Sequence, residues 1–315
     1  MSSRGGCRPH ELYGDKLLIT LRFWDALQRP PLQHPMFRRT MRLYKPVDRP
    51  ITKRPLSARL GLALMAFSVV SCGVIAPQLV LFLLLTMPVI LSVGFTMLHG
   101  TMAGALFATR ISSAIARERE RGSLNLIAVS PRGGFEALWA ICTGCQYYNQ
   151  WFRGEGNQNV WYTRLILLVV LLVSGTLALS DPRISDGNHT AALFALMITI
   201  VMIGFVFVVD DIHSAVIGSL VGLIVPMIAR SRFDARLWAF LVFLSLQVFA
   251  YLLSWIGSFI LAPFLLDGLR LGWVAAHLAL PLAQFLIFFA TRELIARALW
   301  VALVLLNRHE LPVMQ

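Results

Sequence analysis

The chain is predicted to be an all-α, polytopic membrane protein with six transmembrane helices. Three observations predict this. First, 57% of its 315 residues are hydrophobic, only 14% are charged, and the mean hydropathy is +0.70, whereas globular proteins carry about 25% charged residues. Second, residues 60–109 contain no Asp, Glu, Lys or Arg. Third, the 28 Lys and Arg sit between apolar blocks and not on one polar domain. This explains the net charge of +12 by the positive-inside rule and argues against nucleic-acid binding.

Before the first apolar block, residues 1–59 hold 13 of the 28 Lys and Arg, so this segment is expected to be cytoplasmic and basic. No cleavable signal peptide is expected, because the first long apolar block starts only near residue 60. Within the segment, residues 15–28 place Leu17, Leu21, Trp24 and Leu27 three or four apart, with Lys16, Arg22 and Asp25 elsewhere. That spacing predicts an amphipathic helix lying on the bilayer. His34-Pro35-Met36-Phe37-Arg38-Arg39 opens a second basic stretch beside the membrane.

Residues 60–109 are too long for one crossing of about 20 residues. They are read as two, turning at Ala76-Pro77-Gln78 or at Met87-Pro88. Further spans are expected at 165–180, 191–209, 237–266 and 271–291, with a final interfacial helix at 293–306 and a cytoplasmic tail at 307–315. Residues 135–152 carry Trp139, Tyr147, Tyr148 and Trp151, types that favour the headgroup layer. The loop 110–164 holds seven Lys and Arg, and Arg230, Arg232 and Arg236 cluster further on. Placing these in the cytoplasm gives six crossings with both termini inside. Residues 214–229, which include Gly218 and Gly222, must then begin and end on the cytoplasmic side as a candidate re-entrant helix.

The densest charge is Arg117-Glu118-Arg119-Glu120-Arg121, where a membrane helix is expected to emerge into water. Arg117–Glu120 and Glu118–Arg121 stand at pairing distance on a helix. Gly122 suits a C-terminal cap, and Ser123 can cap a short helix over 124–129 that stops at Ser130-Pro131. Helix, sharp turn, short apolar helix and stop make a knob suited to a cleft on another protein.

From Ile115-Ala116 to Pro131 the sequence resembles the signature of ABC-2-type transporter permeases, in which a membrane helix ends in Glu-x-Glu-x-Gly and a coupling helix follows. The matching positions are Glu118, Glu120, Gly122, Ser123, Leu124, Leu126 and Pro131. Asn125 stands where an acidic residue is common. The basic N-terminal segment is similar to the family's elbow helix, with Thr40 where Glu is frequent. The specific match covers about seventeen residues.

The resemblance implies a permease domain over 60–306 whose coupling motif meets a separate ABC ATPase. It also implies a homodimeric or paired permease in the cell membrane, contacting membrane lipids, and export as the direction of transport. This chain is not expected to be an enzyme or to bind a cofactor. Its three lysines, Lys16, Lys45 and Lys53, do not follow glycine, so no P-loop is present and ATP and Mg belong to the partner.

A fainter echo supports duplication. Met227-Ile228-Ala229-Arg230-Ser231-Arg232 resembles the run at 114–119, His213 echoes His99 and Gly218 echoes Gly104, which makes Arg230 and Arg232 a candidate second cytoplasmic contact. Asp210, Asp211 and His213 are candidate pathway or helix–helix groups, expected at a solvated helix end. His99, Gln247, His277 and Gln284 are expected to line a pathway or to bond neighbouring helices. Cys142-x-x-Cys145 lacks a second ligand pair, so no metal is expected and both cysteines read as small apolar residues. Asn188-His189-Thr190 matches a glycosylation sequon by chance. The competing functions are an intramembrane enzyme, for which neither His-Glu-x-x-His nor Gly-x-Ser-x-Gly occurs, and a non-transporting membrane scaffold.

Overall fold

The computed structural model describes residues 18–44, 77–123, 134–147, 164–165, 168–169, 172, 189–268 and 273–310. All regular structure among them is helical. In chain order the helices are α1 (Ile19–Gln28), α2 (Pro35–Tyr44), α3 (Pro77–Glu120), α4 (Gly134–Tyr147), α5 (His189–Ile228), α6 (Arg232–Ile256), a π turn (Gly257–Leu261), α7 (Ala262–Gly268) and α8 (Trp273–Glu310). Two stretches, Leu193–Ile228 and Arg232–Leu266, are long and apolar enough to cross a membrane.

Three helices dominate. At 44, 40 and 38 residues, α3, α5 and α8 extend about 66, 60 and 57 Å, roughly twice a hydrocarbon core of about 30 Å. The pairing of α3 with α5 is parallel: Gly100 lies against Asp210, Gly104 against Ser214 and Gly218, and Gly222 against Ala108. A Cβ on Gly104 would stand 2.5 Å from the Ser214 carbonyl oxygen, so the backbones touch where side chains are missing. Gly104 and Gly218, the two glycines of the sequence echo, therefore face each other. α6 runs back antiparallel, with Ser112 Oγ donating to the Ala235 carbonyl (2.9 Å) and Gln247 beside Thr101.

The two halves of this bundle differ. The C-terminal halves of α3, α5 and α8 are wrapped by α1, α2 and α4 around a core of Phe23, Phe37, Phe107, Ile111, Trp139, Leu220 and Leu303. Phe23 stands edge-on to Trp139 and Trp300, with centroids 4.8 and 5.6 Å apart. The N-terminal half of α5 instead exposes Phe194, Met197, Val201 and Phe205, and α6 exposes Trp238, Phe249 and Trp255. Large exposed apolar side chains over such lengths suit hydrocarbon and not water.

Several expected boundaries move. α3 continues unbroken through Met87-Pro88, so no hairpin turns there; a proline costs a helix one donor, and an apolar helix can absorb that loss. Pro77 opens α3, as suits a residue with no N–H to satisfy, and residues 60–76 lie outside the described residues. Residues 214–229 are the second half of α5 and not a separate re-entrant helix. Residues 293–306 likewise continue α8. In both cases the expected break was placed at charged residues, and the structure pairs those charges sideways instead.

The buried face of α1 is Thr20, Phe23, Ala26 and Leu27, with Trp24 packed beside it, whereas Leu21 is exposed, so the helix packs on protein with only part of the expected stripe. Trp139 is in the core and not in a headgroup layer; Tyr148 and Trp151 lie outside the described residues. The side chain of His277 and the expected span at 173–180 are outside them too.

Candidate functional site

The end of α3 is built by its own sequence. Gly122 adopts φ +70° with nothing among the described residues within 4 Å of where a Cβ would be, so its role is to take the left-handed conformation that stops the helix. Its N–H donates to the Arg119 carbonyl (2.9 Å). Ser123 then folds back, its hydroxyl 2.8 Å from the Glu118 carbonyl and 2.7 Å from the Glu118 carboxylate. It closes the preceding helix; the short helix over 124–129 that it was expected to cap lies outside the described residues.

Glu118, Arg119 and Glu120 each reach a different helix. Glu118, with a side chain only 5% exposed, pairs with Arg39 of α2 at 3.4 Å and with Arg121 at 3.6 Å. Arg119 donates to the carbonyls of Pro226 (2.5 Å), in the last turn of α5, and of Ala229 and Arg230 (3.4 Å), just beyond it. Glu120 accepts the N–H of Arg232 at 2.8 Å, and Ser231 accepts that of Asp234 at 3.1 Å, so both cap the start of α6. The expected second contact, Arg230 and Arg232, thus lies at the same end of the bundle as the first and is joined to it directly. Leu124, Leu126 and Pro131 lie outside the described residues.

A second charged region lies deep in the bundle. Asp210, Asp211 and His213 were expected at a solvated helix end, but they sit in mid-α5 and are at most 5% exposed. From Asp210 to the end of α5 is about 27 Å. Asp210 pairs with Arg292 of α8 and accepts the Tyr251 hydroxyl at 3.0 Å. Asp211 takes both ends of the Arg164 guanidinium, one at 2.8 Å. His213 Nε2 lies 3.7 Å from the Glu293 carboxylate, whose other oxygen accepts the N–H of Ile19 at the start of α1 (2.7 Å).

Arg292 is sandwiched between the rings of Tyr251 and Phe288, at 4.7 and 4.9 Å, with Ser214 Oγ 3.3 Å away. The Gln247 amide oxygen faces it at 2.9 Å, since an amide nitrogen there would meet another donor. Gly100 makes room for the layer, because a Cβ would lie 2.5 Å from an Asp210 oxygen and 3.0 Å from one of Asp211. Gln284 bonds the π turn, donating to the Ser258 carbonyl at 3.3 Å.

Sequence reasoning named Asp210, Asp211, His213 and Gln247 but missed Arg164, Tyr251, Arg292 and Glu293. The available signal was Asp210-Asp211 inside an apolar run, which demands two cations from elsewhere. Cys142 and Cys145 are both free and fully buried. Burial pushes both thiols up, Cys142 despite a hydrogen bond with Ser219, so they stay protonated and inert at neutral pH. Among the described residues no cluster of His, Cys, Asp and Glu could hold a metal ion.

The chain matches no protein-family model, no curated protein and no solved structure.

Proposed function

We propose that the chain is the transmembrane permease subunit of an ATP-driven ABC exporter. It spans the cell membrane six times with both termini in the cytoplasm, and a separate ATPase docks on residues 118–131. Two permease chains, identical or paired, and two ATPases make the assembly.

The observation that carries this reading is the clasp at the end of α3. Glu118 ties it to α2, Arg119 to the end of α5, and Glu120 to the start of α6. A force applied just beyond Gly122 is therefore delivered to four helices at once, as a coupling segment requires. Above the clasp, α3 and α5 are held rigidly by glycine contacts and by the buried charge layer, so movement passes along whole helices. The layer also weakens the intramembrane-enzyme alternative. Adjacent Asp210 and Asp211 diverge to different arginines, which denies them the shared site of an aspartyl dyad.

The test is co-purification from native membranes of an ATPase carrying Walker A and ABC-signature sequences. Glu118→Ala/Glu120→Ala is expected to lose that partner while keeping a monodisperse, folded chain. A folded double variant with ATPase binding and transport intact overturns the assignment. Labelling of Ser231→Cys by an impermeant maleimide is expected only from the cytoplasmic side, and labelling from outside refutes the topology.

A further inference from the structure

A cavity of about 490 Å³ opens beside α2, lined by Gln33, Pro35, Arg38, Arg39 and Arg42. We propose that it binds the phosphate headgroup of an anionic membrane lipid. The proposal does not depend on the transport reading.

The lining has the chemistry for phosphate. Three guanidiniums line it from one helix face, among the described residues no carboxylate does, and Gln33 adds a neutral amide. Guanidinium forks match phosphate oxygens in pairs, and the volume lies within the range of about 300–1,000 Å³ common to ligand pockets. The sequence makes this face reliably: Met36, Phe37 and Thr40 turn inward, so Arg38, Arg39 and Arg42 must turn out. Gly144 lets α2 settle onto α4, since a Cβ there would stand 3.0 Å from Thr40 Cβ. Arg38 Nε donates to the Leu32 carbonyl at 3.2 Å, which anchors that guanidinium at the cavity.

The surroundings favour a lipid over a free anion or an acidic protein. Leu32, beside Gln33, is 55% exposed, which offers apolar surface next to the basic cavity. Residues 38–59 carry eight Lys and Arg against one acidic residue, Asp48, and lead directly into the uncharged run 60–109. A polybasic segment immediately before a membrane-length apolar run lies where anionic headgroups concentrate. Arg39 also holds Glu118 at 3.4 Å, so a bound headgroup would touch the same side chain that anchors the end of α3.

The experiment is native mass spectrometry of the full chain in neutral detergent, titrated with phosphatidylglycerol or phosphatidylcholine. Wild type is expected to retain phosphatidylglycerol selectively, and Arg38→Gln/Arg42→Gln to bind it about tenfold or more weakly, with phosphatidylcholine unchanged. Arg230→Gln/Arg236→Gln removes equal charge from two exposed positions and is expected to bind like wild type. An equal loss in that control assigns the effect to diffuse charge and overturns the site. Absence of selectivity in the wild type overturns it too, as does displacement of the lipid by equimolar inorganic phosphate, which would make the cavity a free-anion site. Should the double Gln variant not fold, Arg42→Gln alone, on the exposed face of α2, is expected to give a smaller loss in the same direction, and no loss overturns the proposal.

Discussion

The end of α3 and the middle of α5 are both dense in charge, yet they are opposite kinds of place. At the α3 end the acidic Glu118 is buried, but its partners Arg39 and Arg121 are 45% and 43% exposed. In the middle of α5 both sides of the Asp210–Arg292 pair are at most 1% exposed. Solvent screens the first set, so its contribution is geometric: it fixes where three helix ends meet. The second set is removed from water on all sides, so any unpaired member carries a full desolvation penalty. Charge density alone does not separate a solvent-facing clasp from a structural lock; burial of both members of each pair does.

The sharpest way to break this comparison is Arg292→Ala. It strands Asp210 in the interior and is expected to cost about 3–5 kcal/mol in unfolding measured in detergent. Asp210→Leu/Arg292→Leu is expected to recover most of that loss. If the single variant melts like wild type, the layer is not a lock.

Gly104→Ala is expected to come next, at about 1–3 kcal/mol, because its new methyl group meets the Ser214 carbonyl and forces α3 and α5 apart. Thermal unfolding checks this, and a neutral result would show that the contact can relax. Gly122→Ala is expected to cost least, about 1–2 kcal/mol, from backbone strain alone, since nothing among the described residues crowds that position. A substitution there that leaves stability unchanged but abolishes ATPase coupling would separate the two roles most cleanly.

The helical character and the Gly122 stop were readable from the chain. A Cβ-free residue after a charged helix end has few alternatives, and the apolar runs leave none. The boundaries at Asp210–Ser214 and Thr291–Glu293 were misjudged, and of the two breaks left open in 60–109 the one at Met87-Pro88 does not occur, for one shared reason. Each carries a local signal that ends a helix in isolation, a proline or a cluster of charge. At the two charged clusters, cations and carboxylates from other helices answer that signal. Arg164, Arg292 and Glu293 stayed invisible because their relevance depends on facing Asp210, Asp211 and His213, which lie 47, 82 and 80 residues away in sequence for those pairs. The buried stripe of α1 was only partly legible, with Leu27 and Trp24 on it but Leu21 off it, because that helix has apolar residues on two faces and only its neighbours choose between them.

By itself, then, the sequence determined that this chain folds as helices built for an apolar environment, because uncharged runs of this length must satisfy their own backbone hydrogen bonds. It also determined where α3 stops, through one residue able to adopt positive φ. The tertiary structure decided the rest: that α3 and α5 lie parallel with Gly104 on Gly218, that Arg119 and Glu120 cap other helices and not their own, and that six ionisable groups from α5, α6 and α8 close with Arg164 into one buried layer. Those outcomes depend on which surfaces meet, and no local pattern encodes the partner's position.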